Sequence, residues 1–445
     1  MILLKIFVKF LLIFILVSFF VYAFSGSYIS HSLENIAYTT GIGFDKGEKD
    51  KYKISFQFVN ISGLNDSSSN EPADTTVIYI ESSSINTAIN LVSSYIGRKL
   101  SLSHCNIILF SKELAQEGIS DEVYTLINNE EIRPSASIMV CDTYACDFLS
   151  NQKPNFEKLI TKYYQTFEIT NKNTGLIDDI NIGTFYNILS EDTINNTCIY
   201  TYVSNTSETD SNSSSDSGST SGTGSNSGSN SSSGSGSSSG SGSSSGSGSD
   251  NYYEIFAGSP AGTNSQRPTQ NFGVAVFKKE KLIGNLNDLE SIAHLLIIND
   301  VDNCIISVPS PFHENEKLDL SISPNKKTKI SVDTSSDTPQ VTINVNVVAD
   351  LLTLNNHTTL NTLDSLDKLS EASENYLKEI IENYLNKTSK EFNSDIDGFG
   401  KYAIKNFWTN SDWSKYNWQE KYGKSNFTVN VNLNLTSSLL LTEIP

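Results

Sequence analysis

Ile36-Ala-Tyr-Thr-Thr-Gly-Ile-Gly-Phe-Asp45, then the polar run Lys46-Gly-Glu-Lys-Asp50, then Tyr52-Lys-Ile-Ser-Phe-Gln-Phe-Val-Asn60, read as a β-hairpin. Tyr52, Ile54, Phe56 and Phe58 alternate with Lys53, Ser55 and Gln57, the period of two that marks a strand with one buried face. Gly41 and Gly43 permit a bulge or close packing in the first strand. Beyond the hairpin the period changes. Thr75 to Glu81 is a strand. Ser84 to Leu100 is a helix with Ile85, Ala88, Ile89, Val92 and Ile96 on one face. Cys105 to Phe110 is a buried strand, and Lys112 to Gly118 and Asp121 to Asn129 are short helices. Ala136 to Cys141 is a strand, and Thr143 to Leu149 opens another helix. Strands alternating with helices place this half of the chain among mixed α/β folds.

Further along, Ser204 to Asp250 is almost entirely Ser, Gly, Asn, Thr and Asp. Such a segment buries too little apolar surface to offset its ordering entropy, so disorder is expected. At about 47 residues a Gly/Ser coil spans roughly 35–40 Å. Cys198 to Val203 and Tyr252 to Phe256 flank it as strands, which makes it an enlarged surface loop, tolerated because closure entropy grows slowly with length. Val274 to Phe277 and Lys281 to Ile283 are strands, and Asn287-Asp-Leu-Glu290 is a capping box that opens a helix to Ile297. In the last part, Val341, Ile343, Val345 and Val347 alternate with polar residues, as do Phe427, Val429, Val431, Leu433 and Leu435. Between these two strands lies a helix of nearly 30 residues carrying Leu366, Leu369, Ser373, Tyr376, Leu377, Ile380, Tyr384 and Leu385 on one face. The pattern implies an antiparallel sheet on one long helix. Trp408, Trp413 and Trp418 follow at intervals of five, as core or interface anchors.

The 445 residues can form two to three domains. A net charge of -19 repels phosphate backbones and excludes nucleic acid as a partner. Cys105, Cys141, Cys146, Cys198 and Cys304 form no CxxC, and isolated buried thiols are expected. His31, His104, His294, His313 and His357 show no metal-ligand spacing, and neither HExxH nor a GxSxG elbow occurs. Carboxylate pairs such as Asp178-Asp179 are uninformative in so acidic a chain. No catalytic, cofactor-binding or metal-binding residue is assigned, and no cofactor is expected. At the amino terminus, Lys5 and Lys9 precede the apolar run Phe10 to Phe24. That arrangement fits a cleaved export signal or a retained membrane anchor, with the remainder of the chain outside the cytoplasm.

Several of these segments together resemble the Ger(x)C spore germination proteins. Glu34 to Asp45 with Tyr52 to Asn60 resembles the family's opening hairpin. Ser103-His104, the strand to Phe110 and Glu113-Leu-Ala-Gln-Glu-Gly118 resemble the next block, followed by Glu131-Ile-Arg-Pro134 and Ala145 to Leu149. Gly273 to Phe277 with Lys281 to Leu286 resembles the middle domain. Ser394-Asp-Ile-Asp-Gly-Phe-Gly400, with Trp413 and Trp418 downstream, resembles the carboxy-terminal signature. The matches are collinear and skip only the Ser/Gly insertion. The resemblance implies an α+β protein of three mixed α/β domains with largely antiparallel sheets, the last a sheet packed on one long helix. The divisions are 1–27 as signal or transmembrane anchor, 28–195 as the N-terminal domain, 196–320 as a middle domain carrying the insertion 204–250, and 321–445 as the C-terminal domain.

It further implies a non-enzymatic C subunit of a nutrient germinant receptor on the extracytoplasmic face of the spore inner membrane, beside an A and a B subunit. A secreted solute-binding protein and a cell-wall hydrolase are the competing readings. Gly398 and Gly400 would turn the chain after the long helix, and Trp413 and Trp418 would either pin that turn to the sheet or form an exposed docking patch. One departure from the family pattern stands out: Ser27 occupies the position where a lipobox Cys would receive lipid. A hydroxyl is a far poorer nucleophile than a thiolate, so retention of the residues up to Phe24 as a transmembrane anchor is expected.

Overall fold

A computed structural model describes residues 2–24, 35–59, 75–152, 157, 159–203, 269–313, 316–352 and 363–436. Ser27, the insertion 204–250 and the strand expected at Tyr252 to Phe256 lie outside the described residues. Helix α1 (Ile2–Phe24) comes first. The expected hairpin follows as β1 (Ile36–Lys46) and β2 (Tyr52–Val59), with Phe44 opposite Ile54 and Ile42 opposite Phe56. A register shift between Thr39 and Gly41 is the bulge that the glycines allow. The chain continues through β3 (Thr75–Ser82), α2 (Ile85–Ile96), β4 (Lys99–Ser101), β5 (Ile107–Ser111), α3 (Lys112–Glu117) and α4 (Ser120–Ile127). Next come β6 (Ser137–Cys141), α5 (Ala145–Asn151), α6 (Ile160–Tyr164), α7 (Phe167–Thr174), α8 (Ile182–Leu189) and β7 (Thr197–Val203). Two strands, β8 (Thr269–Lys278) and β9 (Lys281–Leu286), complete a sheet ordered β3-β2-β1-β5-β6-β7-β8-β9, with β4 against β1.

Both faces of this sheet are covered. The sequence pattern predicts a polar outer face on β2, yet Ser55 and Gln57 are buried. Helix α5 lies over them, and Gln57 is satisfied there: its amide donates to the Leu149 carbonyl (2.8 Å) and its oxygen accepts from the Tyr164 hydroxyl (2.9 Å). A side chain at Gly43 would meet the Ala145 Cβ at 3.0 Å, so the glycine lets α5 sit this close. The helix expected from Ser84 to Leu100 is shorter. It ends at Gly97, which adopts φ +66 and donates its N–H to the Ser93 carbonyl. Lys99–Ser101 then leaves to pair in parallel with Ile36, Ala37 and Tyr38. A left-handed glycine stops a helix because no other residue accepts that conformation as cheaply.

Helix α9 (Asp288–Ile298) starts at the predicted capping box: Asn287 accepts from the Glu290 N–H (2.9 Å) and Glu290 accepts from the Asn287 N–H (2.8 Å). Then follow β10 (Cys304–Pro309), β11 (Lys317–Asp333), β12 (Gln340–Leu351), α10 (Leu363–Asn386), α11 (Gly400–Ala403), α12 (Asn410–Tyr416), α13 (Trp418–Tyr422) and β13 (Asn426–Thr436). They build a second sheet, β10-β11-β12-β13. Its first two pairings are antiparallel, but β12 and β13 run parallel, contrary to the antiparallel expectation. The reason is the connection: α10 and the turns after it carry the chain back to the end where β12 began, as parallel neighbours require.

The boundary placed at 195/196 falls inside the first sheet, where β6 pairs with β7 and β7 with β8. The boundary at 320/321 falls within β11. Val274, Val276 and Leu286 of the first sheet share one apolar core with α9, α10 and the second sheet.

Asp45 reaches from β1 to accept the Ala145 and Cys146 N–H groups at the start of α5 (2.7 and 3.0 Å), wholly buried. Asp45→Ala strands both donors and should cost about 1–3 kcal/mol, read as a lower urea midpoint at unchanged m-value.

Candidate functional site

The Ser394 to Gly400 segment sits where the two sheets meet. After α10 the chain makes a π-helical turn (Lys387–Glu391) and reverses at Asn393, φ 45. The Ser394 hydroxyl then donates to the Phe277 carbonyl of β8 (2.6 Å). Asp395 is fully buried, and its carboxylate accepts three N–H groups: Phe399 (3.0 Å), Gly400 (2.7 Å) and the Trp418 indole (2.8 Å). One side chain thereby caps α11 and anchors α13. Gly398 has φ +74, a left-handed backbone. At Gly400 a Cβ would lie 2.4 Å from the Thr193 carbonyl, so no side chain fits between α11 and the segment entering β7. That segment is tied down again where Asn195 donates its N–H to the Asp395 carbonyl (2.7 Å).

Of the three tryptophans, Trp413 and Trp418 go inward, 6% and 2% exposed, and their rings stack at 6.2 Å. Trp408 points outward and is 99% exposed. The difference follows from the Thr409 cap, which starts α12 one residue after Trp408 and leaves that ring outside the helical repeat.

A second cluster lies beside the first. His294 of α9 is buried between carboxylates from opposite parts of the chain. Its Nδ1 donates to Asp397 Oδ1 (2.9 Å), which also accepts the Tyr384 hydroxyl (2.8 Å). Its Nε2 faces Asp178 Oδ2 at 3.4 Å, an ionic contact without hydrogen-bond alignment. Asp178 also accepts the Thr197 hydroxyl (2.5 Å). Burial pulls the imidazolium down, but Asp178 and Asp397 outweigh it and hold His294 at about 9. Burial pushes Asp395 up to about 7, against the pull of its three donors. At the other end of α9, Lys387 bridges Glu290 (2.7 Å) and the Asn285 carbonyl (3.2 Å).

These groups are engaged with one another inside the protein. The five cysteines are free and buried, and burial pushes Cys105, Cys141 and Cys304 up to about 12, far from a reactive thiolate. Among the described residues no three His, Cys, Asp or Glu side chains are grouped to hold a metal ion. Sequence reasoning singled out Gly398, Gly400, Trp413 and Trp418, and the structure brings all four to this seam. It passed over His294, judged by metal-ligand spacing, and Asp178, set aside as one of many acids. Asp395 and Asp397 lay inside the quoted signature, so their position carried a signal. Nothing in the spacing marked His294 and Asp178 as partners.

Two family models match the chain: "Spore germination protein N-terminal domain" over residues 30–205, and "Spore germination B3/ GerAC like, C-terminal" over residues 272–438. The chain belongs to this family of spore germination proteins. Asp178, Thr193 and Asn195 come from the first matched region, and His294, Asp395 and Trp418 from the second, so the seam is the joint between the two family regions. Spore germination protein KC of Bacillus subtilis (strain 168) is 23% identical over 175 residues, 38% of this chain. The match spans 43% of that relative's length. The crystal structure of the GerBC protein is similar at a TM-score of 0.49 and 14% identity, covering 89% of this chain and 96% of that one.

Trp418→Ala should cost about 3–5 kcal/mol, through the lost ring volume and the lost indole hydrogen bond to Asp395, measured by urea unfolding. For His294 the folded value lies above the ordinary 6.5. Its contribution is therefore fully present below about pH 6.5 and is lost as pH rises through about 9. The melting temperature of the wild type should fall relative to His294→Gln across that window, and a constant difference between the two would contradict the assignment.

Proposed function

We propose that this spore germination protein is the non-enzymatic C subunit of a nutrient germinant receptor, held at the extracytoplasmic face of the spore inner membrane and acting beside A and B subunits. What carries the reading is the pair of family matches on either side of one buried seam. The two regions form a single unit whose polar core is spent on internal contacts. Such a unit works by presenting surfaces to other proteins.

The tether in this reading is α1. Among the described residues no helix is long and apolar enough to cross a membrane, and α1 has described side chains only from Ile6 to Tyr22. The reading takes the whole of Ile2–Phe24, 23 residues, which at about 1.5 Å per residue approaches 35 Å. Its rings Phe7, Phe10, Phe14 and Phe19 are each about two-thirds or more exposed. With Ser27 in place of a lipidated Cys, this helix is the attachment the chain itself offers.

Affinity isolation of the tagged chain from dormant-spore membranes should recover a multi-spanning partner and a second receptor subunit. Its intact mass should include α1 and no acyl group. Recovery from the soluble fraction without partners, or unaided breakdown of peptidoglycan, would overturn the proposal.

A further inference from the structure

Strands β1, β5, β6 and β7 run parallel and so begin at one end of the sheet. The chain enters β1 from α1 at that end. The eleven residues 25–35 between them reach at most about 40 Å, so with α1 in a bilayer this end is the one held toward the headgroups.

The same end carries two exposed aromatic rings set among cations. One is Tyr95, 79% exposed, in the last turn of α2, followed by Arg98 and Lys99. Lys99 is in register with Ile36, the first residue of β1, which fixes this group at the entry point. The other is Trp408, with Lys401 and Lys405 before it. Gly400 packs on Thr193, just ahead of β7, and Lys401 faces Glu191 at 3.7 Å, which fixes α11 at the same end. Helix α9 returns to this end, where Asn299 accepts the Thr328 N–H. β11 continues past it to Val332, whose carbonyl accepts the Asn406 amide. With adjacent strands about 4.8 Å apart, the start of β7, beside α11, lies three strands or roughly 15 Å from the entry point at β1.

We propose that this end of the molecule is a membrane-contact face, with Trp408 and Tyr95 seated among lipid headgroups and Arg98 and Lys405 paired with anionic lipid phosphates. Trp and Tyr suit that depth because an apolar ring and a polar N–H or O–H are satisfied there together. Lysines and arginines near the surface are drawn to an anionic leaflet. The face is local: the chain as a whole carries -19. Glu131 engages Lys99 and Glu191 engages Lys401, while Glu130 and Asp192 lie exposed nearby. Among the described residues neither Arg98 nor Lys405 has a carboxylate within ion-pair distance. Beside Tyr95, the residues Ser94, Gly97, Arg98 and Lys99 line a cleft with Ile89, Leu100 and Tyr124, whereas Trp408 is almost wholly exposed, and headgroups conform to such a ring.

The inference rests on the tether proposed above, and one experiment separates the two. The full-length chain is reconstituted into phosphatidylcholine vesicles with or without phosphatidylglycerol, doped with a lipid whose nitroxide sits at headgroup depth. Of the three tryptophans, none lies in α1, and Trp413 and Trp418 are buried. Shallow quenching should therefore remove part of the emission, vanish in Trp408→Phe, and weaken in Arg98→Glu/Lys405→Glu and in vesicles without phosphatidylglycerol. If the chain floats with the vesicles but Trp408 is not quenched, the contact face is wrong and the tether stands. If the chain does not float, the tether is wrong. If Trp408 is protected only when receptor partners are added, the face belongs to a protein and the lipid proposal fails.

Discussion

A charged imidazole with no access to water depends on carboxylates held on both sides of it. His294 has them only because Asp178 and Asp397, which lie far apart in sequence and within the two different family regions, converge on α9. Burying three ionisable groups costs several kcal/mol each unless the geometry compensates. The arrangement is therefore tolerable in one relative placement of the sheets and costly in others. The apolar core supplies most of the attraction between the two halves, but apolar contacts alone slide. The His294 cluster and the three-donor Asp395 beside it fix the position.

The same constraint explains why the glycines and tryptophans of the signature matter. Gly400 brings α11 against Thr193 at a distance that excludes any side chain. Trp418 fills the space behind it while its indole occupies an Asp395 oxygen. Replacing Asp395 would leave three donors unsatisfied in a dry site, so the segment acts as a unit rather than as a list of separate contacts.

Much of this fold was legible. The period of two in β2, the capping box at Asn287 and the amphipathic stripe of α10 each rest on local chemistry, and each appears where the sequence places it. What failed was non-local. Nothing near Gln57 signals that α5 will cover its face, nor does β13 reveal that its neighbour runs parallel, because both depend on the route of the chain between elements. The line drawn at 195/196 cuts between strands that pair side by side, because the pairing of β7 with β6 leaves no mark in the local sequence. His294 illustrates the limit best. A lone buried histidine is defined by its partners, and those partners have no sequence spacing to betray them.

The proposed role beside other receptor subunits calls for a rigid two-part body, since a contact at one sheet must be felt at the other. Native-state hydrogen exchange addresses this rigidity directly. Slow amides of β5 and β6 in the first sheet and of β11 and β12 in the second should share one opening free energy and one denaturant dependence. Two distinct values, with the second sheet opening while the first stays closed, would contradict the account.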